Sequence, residues 1–165
     1  MNTPGAQPGS GDFGVLDTIQ TDRDGPQERM DIMSVLKKGF EARKTGIPFD
    51  TFAQMIAQRL ESKRNSLVQI GNTAFLVKKN PDNPKDVEFS VISADKPAAL
   101  SQNFSGFYKL LKNQGIMFAS TTEDAPEYVN IYQQSGVPMN VGQQMGFFGD
   151  EQRPEYLVQL KLQGA

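Results

Sequence analysis

Residues 87–137 read VEFSVISADKPAALSQNFSGFYKLLKNQGIMFASTTEDAPEYVNIYQQSGV. The stretch opens with a strand pattern over 87–93, in which apolar and polar residues alternate. A long helix with a wide apolar face follows over 97–113, and a proline suits its first turn. A short apolar strand over 116–120 and a helix over 126–134 come next. Strand, helix and strand in this order predict a βαβ unit with two parallel strands.

The flanking sequence predicts a larger, mainly antiparallel sheet around this unit. Two amphipathic helices come first, and two strands joined by a tight Gly71-Asn72 turn lie between them and the unit. Two closing strands follow. These elements are predicted as helices over 29–45 and 50–64, strands over 67–70, 74–79, 137–145 and 156–162, and turns over 80–84 and 146–154. We therefore predict an α+β domain over residues 29–165, with a mixed, mainly antiparallel sheet flanked by helices.

The joint between the strand and the long helix, residues 94–97, contains no glycine. Proteins of this class commonly hold a phosphate at such a joint, where glycine lets the backbone come close to the anion. Here the joint reads Ala-Asp-Lys-Pro. Pro97 removes an amide donor, and Asp95 would repel an anion. The sequence therefore predicts the frame of a ligand-binding domain without the usual phosphate grip.

This order of elements resembles the GNAT-type N-acetyltransferase fold. In that family a helix pair precedes an antiparallel meander, and the next strand leads into the cofactor helix. A strand, a helix and two closing strands complete the fold. The resemblance covers about residues 29–162, and it implies acetyl-CoA as cofactor. The family's cofactor loop, Gln/Arg-x-x-Gly-x-Gly/Ala, corresponds to residues 93–99, which read SADKPAA. Because this loop has no glycine, we assign no cofactor and no cofactor-binding residue.

Three residues could stand for catalytic groups of that family. Glu88 lies on the strand where some members keep a general-base carboxylate, but alternate strand positions are polar by default. Tyr128 and Tyr132 could mimic a proton-donating tyrosine, but both have the helical spacing of core residues. Because each has an ordinary structural explanation, we assign no catalytic residue.

Histidine and cysteine are both absent from the 165 residues. Their absence removes the usual general base near neutral pH, thiol nucleophiles, disulfides and the ordinary zinc ligands. Asp82, Asp86 and Glu88 are close in sequence, but the prolines and asparagines around them indicate a turn and not a cation site. We therefore assign no metal site and favour a protein that is not an enzyme.

Residues 1–28 form a predicted arm, long and irregular, that is rich in proline, glycine and acidic residues. The arm has five acids and one base, a net charge of −4, and residues 29–165 have a net charge of +2. Such a composition does not bury enough apolar surface to fold alone. An apolar island interrupts the arm, and a Phe-Phe pair occurs in the turn over 146–154. We predict that these residues contact neighbouring subunits: Phe13, Val15, Leu16, Ile19, Phe147 and Phe148.

Degenerate GNAT-like domains without the acetyl-CoA loop occur among proteins of tailed bacteriophages, and the chain is similar to them in its short length, its missing loop and its arm. The resemblance implies a non-enzymatic assembly component of a virion, assembled in the host cytoplasm. Its partners would be subunits of capsid, portal or tail, or a second copy of the chain, and no membrane. The alternative is an active or vestigial acyl-CoA N-acyltransferase.

A further alternative is a nucleic-acid adaptor, because residues 29–65 carry a net charge of +4. The basic residues of this segment that could contact phosphates, or the acidic arm of another subunit, are Lys37, Lys38, Arg43, Lys44, Arg59, Lys63 and Arg64. The segment lacks the interleaved aromatic residues that stack on single-stranded bases. Two solvated helix faces are therefore the preferred explanation of the charge.

Overall fold

The computed structural model describes residues 15, 16, 28–43, 45–148 and 151–163, with the backbone alone for 15, 16, 147 and 148. Its helices are α1 (Ile32–Arg43), α2 (Phe49–Leu60), α3 (Pro97–Asn113) and α4 (Pro126–Gln134). Its strands are β1 (Val15–Leu16), β2 (Asn65–Ile70), β3 (Thr73–Asn80), β4 (Asn83–Ser93), β5 (Phe118–Glu123), β6 (Met139–Phe148) and β7 (Glu151–Lys161).

The strands form one mixed sheet in the order β1-β2-β3-β4-β5-β7-β6. β2, β3 and β4 form an antiparallel meander, and β5, β7 and β6 form a second antiparallel group. The two groups meet where β4 pairs with β5 in parallel, and α3 is the crossover between them. β1 pairs in parallel with residues 67 and 68 at the outer edge of β2. Two residues of the arm therefore extend the sheet of their own chain.

Apolar residues cover the two faces of the sheet in two separate clusters. On one face, α3 and α4 pack through stacked rings, with centroids 4.1 Å apart for Phe75 and Phe107 and 4.5 Å apart for Phe104 and Tyr132. On the other face, α1 and α2 cover β2, β3 and β4 through a smaller cluster. The β5–β7–β6 half of this second face is open among the described residues, and Phe118 on β5 is 49% exposed there.

Polar side chains near the β2–β3 turn hold the start of the domain. Gly71 has φ +58°, a conformation that glycine favours, and Asn72 follows it. The buried Asn72 side chain accepts a hydrogen bond from the Met30 amide at 2.8 Å and donates one to the Glu28 carbonyl at 3.0 Å. Gln69 donates to the Met30 carbonyl at 2.9 Å. These bonds attach residues 28–30 to one end of the meander.

The predicted element order is confirmed, and with it the GNAT-like α+β fold. The parallel neighbours β4 and β5 confirm the βαβ unit. α3 and α4 have the predicted bounds because each begins at a proline and is followed by a glycine with positive φ, Gly115 at +75° and Gly136 at +82°. None of the described helices has the length and apolarity to cross a bilayer.

Several local predictions were wrong. The predicted long turn over 146–154 is the end of a hairpin, since β6 continues to its residue 148 and β7 begins at residue 151. Gly146 fits inside this hairpin because the Glu155 side chain lies where a Cβ would be, at 2.5 Å. The predicted strand over 116–120 begins later, at residue 118, and its pairing with β7 continues to residue 123. Met33, predicted on the apolar face of the first helix, is 52% exposed.

Candidate functional site

The pairing between β4 and β5 is short, and the two strands separate beyond it. Within the described chain their register covers residues 86–88 opposite residues 118–120. β4 nevertheless continues over residues 89–93 and β5 over residues 121–123. We call the opening between these two segments the split. Backbone groups that face the split have lost their sheet partner, so a ligand, a side chain or water must satisfy them.

Arg43, the last residue of α1, places its guanidinium across the split. Its Nη2 donates a hydrogen bond of 2.9 Å to the Val91 carbonyl on β4 and one of 3.2 Å to Oε1 of Glu123 on β5. Its Nη1 bonds Oε2 of the same carboxylate. The guanidinium carbon lies 3.8 Å from the centre of the Tyr128 ring on α4. One side chain therefore joins both strands of the split to a helix on the opposite face of the sheet.

The Glu123 carboxylate connects Arg43 to a buried tyrosine. Tyr132 on α4 is fully buried, and its hydroxyl donates a 2.8 Å hydrogen bond to Oε1 of Glu123. Burial raises the pKa of Tyr132 well above its ordinary value, and the charge of Glu123 raises it further. Burial by itself lowers the pKa of Arg43, but hydrogen bonds to Glu123 and its negative charge raise it above the ordinary value. The phenol is therefore held neutral and the guanidinium charged.

At the joint, the Asp95 carboxylate takes up the nearby hydrogen-bond donors. Its Oδ2 accepts hydrogen bonds from the Asn72 amide at 3.0 Å, the Thr73 hydroxyl at 2.8 Å and the Asn103 side-chain amide at 2.7 Å. Pro97, in the first turn of α3, has no amide to offer. The joint is thus arranged around the chain's own anion.

A polar cleft of about 420 Å³ lies on the open side of the split. Its lining combines charged and hydroxyl side chains from α2 and the sheet, among them Arg59, Lys78, Glu88, Ser90, Ser120 and Thr122. A second opening of about 350 Å³ continues from Ser90 and Thr122 towards Arg43 and Glu123. A shallow polar surface therefore follows the split, and the Arg43 ion pair lies at one end of it.

The sheet separates the three predicted catalytic candidates. Glu88 is exposed and lines the cleft on the α1–α2 face. Tyr132 belongs to the large apolar cluster on the other face, and Tyr128 packs against that cluster. The core spacing of both tyrosines is thus confirmed. A carboxylate and a phenol on opposite faces are poorly placed to act as base and acid on one substrate.

The predicted interface residues lie in different parts of the chain. Phe13 and Ile19 lie outside the described residues. Val15 and Leu16 form β1 on the outer edge of β2. The Phe-Phe pair ends β6, at the tip of the β6–β7 hairpin. Contact of these residues with neighbouring subunits stays a prediction.

The basic segment predicted over residues 29–65 has fewer basic side chains at the described surface than its sequence indicates. Arg43 belongs to the split, and Lys44 lies outside the described residues. The remaining members of the predicted set are exposed: Lys37, Lys38, Arg59, Lys63 and Arg64. The prediction of Arg43 as a surface charge was therefore wrong. The sequence pattern did not indicate the ion pair because the partner, Glu123, lies 80 positions away.

Glu123 was not predicted as a site residue, and the sequence pattern explains why. The large apolar residues of this stretch, Ile116 and Phe118, have even numbers, so the alternation of a strand would direct Glu123 outward. In the structure the odd-numbered residues of β5 are the buried ones, Ala119, Thr121 and Glu123. A buried carboxylate requires a cation or several hydrogen-bond donors, and Arg43 supplies both.

One of the acidic residues near the β3–β4 turn is bonded within the turn itself. Asp86 accepts a 3.3 Å hydrogen bond from the Asn80 side chain, as expected of the predicted turn over 80–84. In the part of the chain that the structure describes, no group of three acidic side chains is placed to hold a metal ion.

Comparison with known proteins finds similarity in fold. No protein-family model and no curated protein matches the chain. A putative acetyltransferase from Salmonella typhimurium, solved with its cofactor acetyl-CoA, shares 14% identity at a TM-score of 0.45, over 56% of this chain and 59% of its own. A GNAT-family acetyltransferase from Streptococcus pneumoniae shares 11% identity at a TM-score of 0.42, over 53% of this chain and 59% of its own. A chimera of the Vibrio cholerae spermidine N-acetyltransferase shares 13% identity at a TM-score of 0.47, over 83% of this chain and 93% of its own.

The chain spans about three fifths of the length of the first two of these proteins. At such identities the similarity concerns the arrangement of elements and not the chemistry of any site. A helix pair, a meander, a βαβ crossover, a further helix and a closing hairpin follow one another in this chain. It is this order, together with the sheet topology, that makes its fold GNAT-like.

Proposed function

We propose that the chain is a non-enzymatic assembly component of a bacteriophage virion, and that its GNAT-like domain and its N-terminal arm bind neighbouring subunits. The observation that carries the proposal is the position of Arg43, whose guanidinium bonds both strands of the split. Ligands of open α/β sheets bind beyond the carboxyl ends of parallel strands. Here that space holds a side chain of the chain itself.

Both ends of the expected ligand path oppose an acyl-CoA. A pyrophosphate at the joint would meet the negative charge of Asp95, which already accepts three hydrogen bonds there. The amide N–H groups of a CoA arm in the split would have to compete with the Arg43 guanidinium for the Val91 carbonyl. Displacing Arg43 would also leave the Glu123 carboxylate without its cation, and its side chain is only 4% exposed. Uncompensated buried charges are costly, so the loss would offset much of the binding energy.

We expect no heat of binding when acetyl-CoA is titrated calorimetrically into the full chain, up to millimolar ligand. Millimolar ligand half-saturates even a site with a dissociation constant of 1 mM, which corresponds to only about −4 kcal/mol, so a weak residual site would be populated in the titration. An active acetyltransferase of the GNAT fold, titrated in the same buffer, is the matched control. A saturable heat with one ligand per chain would contradict the proposal.

One observation favours the alternative of an acyl-CoA N-acyltransferase, namely the polar cleft with an exposed Glu88 in its lining. A carboxylate beside an open cleft could accept a proton from an amine substrate. This alternative requires that acetyl-CoA binds, so the titration decides between the two functions. It also requires that Glu88→Gln slows acetyl transfer by about 100-fold or more, as the loss of a general base does.

Deletion of residues 1–27 is expected to abolish incorporation of the chain into virus particles. The truncated chain keeps Glu28, whose carbonyl is bonded by Asn72 at 3.0 Å, so the start of the domain remains attached to the sheet. The measurement is the amount of chain in purified particles by immunoblot, with circular dichroism as the check of folding.

A matched pair of substitutions refines the deletion. Replacing Phe13 and Ile19 by serine removes apolar side chains from the arm and should also abolish incorporation. Replacing Thr3 and Gln7 by serine also makes two substitutions in an arm of the same length, but it removes no apolar side chain. This control should leave incorporation unchanged. Normal incorporation of the truncated chain would show that the arm does not hold the protein in the particle.

A further inference from the structure

The two edges of the sheet differ in how they are covered. At one edge, the two residues of β1 lie against Leu67 and Val68 of β2. At the other edge, β6 pairs with β7 on one side and has no strand on its other side among the described residues. β6 is ten residues long, from Met139 to Phe148. A bare edge of this length presents a row of backbone donors and acceptors to any compatible strand.

The charges and the proline of the β6–β7 hairpin lie on β7 and not on β6. Edge strands normally carry lysine, other charges or proline, which prevent pairing with another chain. β6 reads MNVGQQMGFF and has neither a charged residue nor a proline. β7 pairs with β5 only over residues 156–161, so among the described residues its first segment has no strand on that side, and this segment contains Glu151, Arg153, Pro154 and Glu155. The unpaired segment of β7 is therefore protected, whereas the edge strand β6 is not.

One hydrogen bond identifies the backbone groups that β6 turns outward. The Lys161 amide donates to the Pro138 carbonyl at 2.9 Å, so these two residues form a hydrogen-bonded pair between the strands. Such pairs alternate along an antiparallel ladder. The even-numbered residues of β6 therefore bond β7, and the odd-numbered residues turn their amides and carbonyls outward. Pro154 agrees with this phase, since it lies opposite Met145 and has no amide to direct at β6.

We infer that β6 pairs with β6 of a second copy of this chain, in antiparallel register about a two-fold axis at Gln143. The inference is independent of the proposed function, because either kind of protein could form this dimer. Outward-facing residues must oppose one another, which is satisfied when Gln143 faces Gln143 and Val141 faces Met145 of the second copy. Residues 139 and 147 oppose each other in the same register. The pair at the axis occurs once and each of the other two pairs occurs twice, so five pairs with two bonds each give about ten backbone hydrogen bonds.

The side chains of β6 favour a second copy over an unrelated strand because they are complementary to themselves. Met145 is 53% exposed, and Val141 on the same face is half-buried. In the two-fold register each Met145 covers Val141 of the other copy, and the two Gln143 amides can bond each other. No like charges oppose each other, since β6 has no charge. The two sheets become one continuous sheet, and both bare edges disappear.

Light scattering coupled to size exclusion tests the inference on the full chain. We expect the wild type to elute at twice the mass of one chain. Gln143→Lys places two lysines opposite each other at the axis, and Gln143→Glu places two carboxylates there. Each variant alone should have a dissociation constant raised about tenfold or more, since opposed like charges at an interface are costly. An equimolar mixture of the two should recover the dimer, because opposite charges then meet.

A single introduced cysteine locates the axis. The chain has no cysteine, so Gln143→Cys creates its only thiol. Directly opposed residues of a hydrogen-bonded antiparallel pair have Cα atoms about 5.5 Å apart, within the range of about 4.4–6.8 Å that a disulfide spans. We expect rapid oxidation to a covalent dimer. Met33→Cys, on the exposed side of α1, is the matched control and should stay monomeric on a reducing-agent-free gel.

Two results would overturn the inference. A wild-type chain that is monomeric at all concentrations, with no cross-linking of Gln143→Cys, shows that β6 does not pair with itself, whether another protein's strand or nothing covers the edge. A dimer that forms unchanged in Gln143→Lys, with no recovery on mixing the two charged variants, shows that copies associate through a different surface.

Discussion

Glu123→Ala is expected to lower the free energy of unfolding by about 3 kcal/mol, the loss typical of a buried ion pair from which one partner is removed. The Glu123 side chain is 4% exposed and that of Arg43 20%. The substitution leaves the guanidinium largely buried without its anion, although the Val91 carbonyl and the Tyr128 ring still contact it. It also removes the acceptor of the Tyr132 hydroxyl. Urea unfolding followed by circular dichroism measures the loss.

Glu41→Ala is the matched control for this prediction. Glu41 lies on α1, as Arg43 does, but it is exposed. Its replacement should change the free energy of unfolding by no more than about 0.5 kcal/mol, as for most surface substitutions. A different result would be a loss of less than about 1 kcal/mol for Glu123→Ala, with an unchanged slope of the unfolding free energy against urea concentration. The split would then have to be open to water, and the argument that Arg43 and Glu123 exclude a ligand from it would fail.

The double variant Arg43→Met, Glu123→Met separates the cost of a broken ion pair from the value of an intact one. Replacement of both charges by apolar groups of similar size is often neutral or stabilising, because it also removes their desolvation cost. We expect the double variant to be at least about 2 kcal/mol more stable than Glu123→Ala. Arg43 and Glu123 would then be kept for occupying the split in one specific arrangement and not for stability alone.

The elements that the sequence predicts best are those whose limits are local. α3 and α4 have the predicted bounds because proline and glycine act on their own turns, without help from the rest of the fold. The βαβ unit was predictable for a similar reason, since a strand, a helix and a strand in short succession leave few ways to pack. Helix α1 also lies where its pattern predicts, although Met33 is exposed.

The parts that the sequence did not predict depend on contacts between distant residues. The end of β5 depends on its pairing with β7, which joins Glu123 to Tyr156. The Arg43–Glu123 ion pair joins residues 80 positions apart and crosses a split that exists only because β4 and β5 diverge. No local pattern reports such a divergence. In a single sequence, an arginine at a helix end is equally consistent with a surface charge.

Arg43, Asp95 and β6 together direct attention to the perimeter of the domain. Where an α/β sheet usually binds a ligand, Arg43 and Asp95 satisfy the backbone and side-chain groups internally. Where a sheet usually protects itself, β6 is bare and uncharged. The hydrogen-bonding groups at the split and the joint thus have partners within the chain, whereas the backbone groups along the outer edge of β6 do not. A protein whose partners are other chains requires such a division. This division agrees with the proposed assembly function and motivates tests at the edge before tests in the cleft.

Gly39→Ala is expected to lower the free energy of unfolding by about 2 kcal/mol, although alanine is the better helix former. Gly39 lies inside α1 where the helix packs on β4. A Cβ at this position would lie 2.9 Å from both the amide nitrogen and the carbonyl oxygen of Ser93, and 2.7 Å from Cγ2 of Ile92. The gain in helix propensity is about 1 kcal/mol. Overpacking costs about 1–3 kcal/mol, and backbone atoms of a central strand cannot move aside cheaply, so the upper end applies.

Gly106→Ala is the control, because the same substitution should here raise the free energy of unfolding instead of lowering it. Gly106 lies inside α3, and a Cβ there would meet Ile70 at an ordinary 3.7 Å from Cγ2. With no clash to oppose it, the helix-propensity gain remains, and we expect stabilisation by about 0.5–1 kcal/mol. The two variants make the same chemical change in two helices, so propensity cancels in their difference. Equal effects on urea unfolding would mean that α1 does not approach β4 closely, and Arg43 could then not reach across the split.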